Sequence, residues 1–176
     1  LGKTSEDALH KIENILQQLN LSPSDRAVVG PALARCNEVH SPAAAIQLPD
    51  GRIITGRASS LMSACSATVL NSIKALAGIQ DITLIRPEVL EPILRMKIDM
   101  LGSRSSVLKV DDTLAGLAVT AASDPVAAQA MAALPLLRDC DMHSSQMLHS
   151  GDEGTLRKLG LRLTMEPVYP SKDLYF

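Results

Sequence analysis

The sequence predicts a layered α/β domain: a mixed sheet of about five strands, covered by helices and preceded by a short helical segment. Three observations predict it. Short β-prone runs alternate with longer stretches of helical periodicity along the whole chain. Asp50-Gly51 sits between two apolar runs, a strong local signal for a hairpin. The interior must be built almost without aromatic residues, because Tyr169, Tyr175 and Phe176 are the only ones in 176 residues; Leu, Ile, Val, Met and many Ala remain to fill it.

Taken in order, Thr4–Leu19 is amphipathic, with Leu9, Ile12, Ile15, Leu16 and Leu19 at helical spacing and Thr4 or Ser5 as its N-cap. A second helix opens at Pro23–Asp25 and runs to about Asn37, with Pro31 as a first-turn proline or a kink. Residues 1–40 thus form a helical segment or linker, and 41–176 the α/β domain. Ala43–Leu48 and Arg52–Arg57 are hairpin strands around Pro49-Asp50-Gly51. Ser59 or Ser60 caps a long helix to about Ala77, with Gly78 just past its end. Ile82–Ile85 reads as a short buried strand. Pro87 starts a helix to about Leu101, Asp111-Asp112 cap an Ala-rich helix over Thr113–Ala122, and Asp124-Pro125 start the next, through Leu134. Asp141–Leu148 is a strand, Asp152–Leu159 a short helix stopped by Gly160, and Leu161–Met165 the last strand.

Composition excludes several function classes. A net charge of −2 with both signs interspersed gives no electrostatic draw toward nucleic acid, and the scarcity of aromatics removes stacking platforms. Cys36, Cys65 and Cys140 are odd in number and form no CxxC pair, so neither a zinc ribbon nor a disulfide framework is expected. No apolar run approaches the roughly 20 residues that span a bilayer. The expectation is a cytoplasmic protein with reduced thiols, no signal peptide and no membrane partner. Leu at the first position, followed almost at once by a helix, suggests a piece of a longer polypeptide.

The stretch from Gly51 to Ser59, GRIITGRAS, superficially echoes a phosphate loop, but the residues between its glycines are β-prone and apolar where the motif needs a loop. A looser reading gathers Thr55, Gly56, Arg57, Ser59 and Ser60 at a helix N-terminus, where free N–H groups, hydroxyls and a guanidinium could hold an anion. The bland alternative is an ordinary serine cap with Arg57 in solvent. His143, Ser144 and Ser145 sit in the predicted Asp141–Leu148 strand and supply a titratable ring beside two hydroxyls; the alternative is a hydrogen-bonded structural histidine. Alternation puts His143 and Ser145 on one face, Met142 and Ser144 on the other. Cys140, His143 and His149 lack a recognised metal spacing, and no GxSxG, HExxH or GxGxxG occurs. No cofactor and no catalytic residue can be named.

Several blocks carry a resemblance: SPAAAIQLPDGRIITGRASSLMSACSATVLNSIKALAGI, ITLIRPEVLEPILRMKIDMLGS, CDMHSSQMLHSGDEGTLRKLGLRLTMEPVY and the closing SKDLYF. In this order they resemble the C-terminal region of a bacterial domain-of-unknown-function family, number eighteen forty-six, also called uncharacterised protein family three seventy-one. The resemblance implies a bacterial, cytoplasmic C-terminal fragment, preceded in full-length members by a glycine-rich, phosphate-loop-like segment that is absent here. It brings no catalytic residue with it. The order of elements is also similar to the deaminase-type topology, but Ser59-Ser60-Leu61-Met62 stands where the zinc ligands of those enzymes would be, so zinc chemistry is not implied. Two functions follow as expectations. One is binding of a small anionic or phosphorylated ligand, nucleotide included, at Thr55–Ser60 with His143–Ser145. The other is an assembly module whose Ala-rich helices, Ser63–Ala77 and Thr113–Ala133, pack on another copy or on the missing N-terminal domain.

Overall fold

The computed structural model describes residues 5–103 and 107–169; Thr4, the SKDLYF block, Tyr175 and Phe176 lie outside them. Helix α1 (Glu6–Gln18) is capped by Ser5, whose side chain accepts from the Ala8 N–H. The expected second helix divides. Pro23–Asp25 is a single 3-10 turn closed by Ser22 and Asp25, and α2 (Val29–Val39) starts afresh after Arg26. Pro31 falls in the first turn of α2, where the missing N–H is not needed by the helix.

Strands β1 (Ala43–Gln47) and β2 (Ile53–Arg57) form the expected antiparallel hairpin, with Gln47 opposite Ile53 and Ala43 opposite Arg57. Its turn needs a left-handed residue, and Gly51 supplies it at φ 86°. β3 (Asp141–Ser144) pairs antiparallel with β1, and β4 (Arg162–Met165) pairs parallel with β3, giving the order β2-β1-β3-β4. β2, β3 and β4 therefore run in one direction, with β1 reversed among them.

The described residues hold four strands, not five. Among the described residues Ile82–Ile85 pairs with no strand; it is a bend whose Leu84 and Ile85 are buried. Its apolarity serves helix packing, with Ile85 facing the bare backbone at Gly116, and a short apolar run cannot show by periodicity alone whether it is strand or packed loop. β3 is also shorter than the expected Asp141–Leu148. After Ser144 the Ser144 hydroxyl bonds the Gln146 carbonyl at 2.8 Å and turns the chain away.

The helix of α3 (Ala64–Leu76) lies across β2 and β1 and is the most buried of all. The Pro87 helix ends early: α4 (Pro87–Arg95) passes into one π turn over Met96–Met100, which carries Lys97 to the Asp112 carboxylate. α5 (Val110–Ala121) begins before the expected acidic pair. Asp112 reaches back to the Lys109 N–H at 3.0 Å, as a third-position acid does in a capping box. α6 (Pro125–Ala132) is capped by Asp124, as expected, and ends in a 3-10 turn over Leu134–Leu137. α7 (Ser150–Lys158) joins β3 to β4.

The main core lies on one face of the sheet. Ile46 and Met142 meet Ile73 of α3, Leu90 of α4, Leu117 of α5 and Leu156 of α7 there. The other face carries, among the described residues, a smaller cluster in which Val28 and Ala32, at and in α2, pack on Ala45 and Ile53. Among the described residues no helix is long and apolar enough to cross a membrane.

Candidate functional site

The common direction of β2, β3 and β4 brings both halves of the sequence-predicted set to one end of the sheet. Across β1, Gly56 and Ser144 both face Ala44 in register, and Thr55 and His143 both face Ala45. Two strand spacings separate the members of each pair, about 10 Å. Alternation then divides the set between faces. Gly56 and Ser144 point toward α3; Thr55 and His143 point the other way, toward the α2 side.

On the α3 side, the helix start moves from Ser59 or Ser60 to Ser63. Ser63 Oγ accepts from the Ser66 N–H at 3.2 Å and touches Ser66 Oγ at 2.9 Å. Ser59 instead closes a tight turn, accepting from the Leu61 and Met62 N–H groups at 3.3 and 3.2 Å. Ser60 and Arg57 are exposed on this rim. Between Ser59 and Ser63, Met62 bridges to Leu108, and the Ser63 N–H donates to the Leu108 carbonyl at 3.0 Å. That bridge ties the start of α3 to the start of α5. Asp152, in the first turn of α7, accepts the Val110 N–H at 2.8 Å and ties in a third helix start. The starts of α5 and α7 thus meet at one buried carboxylate.

Burial pushes the Asp152 carboxyl up, and the Asp111 carboxylate adds to this; the Val110 N–H, Lys109 and His149 act against it. The nearby Cys65 thiol is pushed up to about 12 by burial and by the Asp152 charge, with the Ser144 hydroxyl opposing. A thiol held so far above neutral pH is not a nucleophile there. Ser145 is structural in its contacts: its N–H donates to the Ala43 carbonyl, and its Oγ accepts the Ala43 N–H, each at 2.9 Å.

On the α2 side, His143 is 3 % exposed and fully engaged. Nδ1 lies 2.9 Å from Thr164 Oγ1 and Nε2 lies 3.1 Å from Glu166 Oε1. Arg26, from the turn before α2, donates to Thr164 Oγ1 at 2.6 Å, Asp141 Oδ1 at 2.8 Å and the Arg162 carbonyl at 2.9 Å. Asp141 also pairs with Arg162 Nε at 2.9 Å. This network fastens the segment before α2 onto β3 and β4. Sequence reasoning missed Arg26, Thr164, Glu166 and Asp152, because only the strand pairing and the helix crossings bring them to the site.

Burial lowers the His143 pKa, Arg26 adds to this, and Glu166 opposes them. A histidine depressed in the folded state leaves that state with fewer bound protons than the unfolded chain. Its stability contribution is whole above the ordinary value of 6.5 and is lost as pH falls below it. The urea midpoint is therefore expected to drop between pH 7.5 and 5.5, and to drop less in His143→Gln. An equal drop in the variant would remove His143 from the pH response.

The predicted residues line neither of the two open clefts described. One, of about 490 Å³, lies at the opposite end of the sheet between Arg26, Asp141, Arg157, Leu161, Arg162 and Leu163. The other, of about 340 Å³, lies by the hairpin turn and Arg138. Among the described residues no three metal-ligating side chains converge.

Comparison with known proteins finds the same relationship throughout. The family model described as "Domain of unknown function DUF1846, C-terminal" matches residues 24–175. A UPF0371 protein of Clostridium tetani (strain Massachusetts / E88) is 40 % identical over 185 residues, covering 99 % of this chain and 37 % of its own length. UPF0371 proteins of Clostridioides difficile (strain 630) and Clostridium botulinum (strain ATCC 19397 / Type A) are 41 % and 38 % identical over 184 residues, with the same coverage. The chain thus spans 37 % of the length of these curated relatives. On this match the chain belongs to the DUF1846 family, as that family's C-terminal domain.

Proposed function

We propose that this domain is part of a larger cytoplasmic protein and binds a small anionic or phosphorylated ligand at the sheet end formed by Thr55, Gly56, Arg57, Ser59 and Ser60, with the buried, hydrogen-bonded His143, Ser144 and Ser145 as the framework behind the rim. The observation that carries it is the shared register on β1, which sets the ends of β2 and β3 level on either side of it where α3, α5 and α7 begin. Ligands of α/β sheets bind beyond the carboxyl ends of parallel strands. The inner N–H groups of Ser63, Ser66 and Val110 already have partners in the Leu108 carbonyl, the Ser63 hydroxyl and Asp152, so the ligand is offered the outer rim, with Arg57 as its cation. A deaminase-like arrangement without zinc is the finer fold reading; the strand order with β1 reversed supports it.

Titration with inorganic phosphate tests the proposal. Arg57→Ala should weaken binding about tenfold or more, the worth of one charge-assisted hydrogen bond. Arg52→Ala, at the far end of the hairpin and paired with Asp50 at 2.7 Å, should leave it unchanged. A specific observation favours a second location: three guanidiniums, of Arg26, Arg157 and Arg162, line the larger cleft. Loss of binding in Arg157→Ala but not Arg57→Ala would move the site there, and no binding by the wild type would end both.

The assembly reading narrows. Eight residues of α3 are buried in the chain's own interior, so its share of an interface passes to the outer face of α5 around the exposed Val119.

A further inference from the structure

α1 is the one described α-helix that buries nothing. Leu9, Ile12, Ile15 and Leu19 all point outward, between 49 % (Leu9) and 62 % (Leu19) exposed, and Leu21 continues the stripe at 51 %. Leu9, Ile12, Leu16 and Leu19 are spaced three, four and three residues apart, the spacing of a seam made for another helix. A 13-residue helix is marginal alone in water, and a contiguous apolar stripe of this kind marks an interaction surface.

What covers it can be argued from the comparisons. α1 lies before residue 24, outside the match to the C-terminal-domain model, yet inside the region shared with relatives that match over 99 % of this chain. Those relatives devote only 37 % of their length to the matched part. α1 therefore stands where the C-terminal domain adjoins the rest of such a polypeptide. A second copy is the weaker candidate. A helix of this size is about 20 Å long, so one such helix per copy offers a few hundred Å², short of the roughly 1,000 Å² of a stable interface. Docking within one polypeptide avoids the translational and rotational cost of bringing two molecules together and leaves only that of ordering the connection.

We infer that α1 is a docking helix, whose Leu9–Ile12–Leu16–Leu19 seam lies in an apolar groove of the region that precedes this domain in a polypeptide of the relatives' length. The inference rests on reading this chain as part of such a polypeptide, not on the anion site, so phosphate binding neither supports nor removes it.

Two measurements test it together. The first is sedimentation of the 176-residue chain as wild type and as the double variant Ile12→Glu/Leu16→Glu. Both should be monomeric, and their thermal midpoints should agree. A wild-type dimer that the double variant dissociates would assign the stripe to a second copy and overturn the inference. The second is hydrogen exchange. Amides of Glu6–Gln18 should exchange nearly as fast as in an unfolded chain. The aligned helix of the full-length Clostridium tetani relative should be protected at least 100-fold more. Protection already present in the monomeric 176-residue chain, or equally fast exchange in the full-length relative, would each overturn it.

Discussion

Gly56→Ala is expected to destabilise the protein by about 3 kcal/mol or more, at the upper end of what overpacking costs. The glycine is required for space. A Cβ at position 56 would stand 2.4 Å from the Thr68 nitrogen, 2.6 Å from its Oγ1 and 2.7 Å from its Cα. Two of those atoms are helix backbone, so no rotamer change relieves the clash. Ordinary carbon contacts lie near 3.5–4.0 Å, so α3 would have to lift from β2 by about 1 Å. It cannot do so alone. Thr68 Oγ1 donates to the Ala64 carbonyl at 2.7 Å and reaches the Ala44 carbonyl at 3.3 Å. Cys65, Val69 and Ile73 on the same helix fill the main core. The measurement is urea unfolding: the midpoint should fall sharply while the slope stays constant. Gly30→Ala is the control, since nothing lies within 4 Å of its added methyl. A Gly56→Ala protein as stable as wild type would mean that α3 does not rest on β2.

What the sequence made legible was what local chemistry decides. Asp50-Gly51 marked the hairpin, and Gly78 and Gly160 marked helix ends at φ 66° and 86°. Asp124 marked the start of α6, and alternation correctly set His143 and Ser144 on opposite faces. What it hid was decided at a distance. Ser59, Ser60 and Ser63 are equally good caps by type; Ser63 becomes the cap because Met62 bridges to Leu108, far along the chain. Ile82–Ile85 looks like a strand because buried loops and buried strands share a composition. The partners of His143 came from β4 and from the turn before α2, and no local pattern links them. The resemblance identified the family correctly, but it could not identify residues that act together only after folding.

Asp152→Ala should cost about 2 kcal/mol at pH 7, and the reason separates structure from charge. The substitution strands the Val110 N–H, and Val110 is wholly buried; an orphaned buried donor costs about 1–3 kcal/mol. It also removes the negative charge where the starts of α5 and α7 meet, worth several tenths of a kcal/mol per helix end. Against this stands relief of the cost of burying a carboxylate, which is why the loss is not larger. Asp152→Asn keeps an oxygen that can accept from Val110 and should lose less than half as much. The pair also has a pH signature. Burial raises the Asp152 pKa in the folded state, so its favourable contribution is whole below the ordinary 3.8 and is lost as pH rises through the folded value. Wild type should therefore gain on Asp152→Asn as pH falls from 7 to 4, opposite in direction to the His143 response. Paired urea titrations at the two pH values read the difference directly, with all other groups common to both proteins. If the gap instead widens in favour of Asp152→Asn on acidification, the carboxylate is stabilised as an anion by the α5 and α7 helix ends and burial is the lesser effect. If Asp152→Ala costs nothing, the bond to Val110 does not hold α5 and α7 together, and the convergence of helix starts that frames the proposed ligand rim loses its tie.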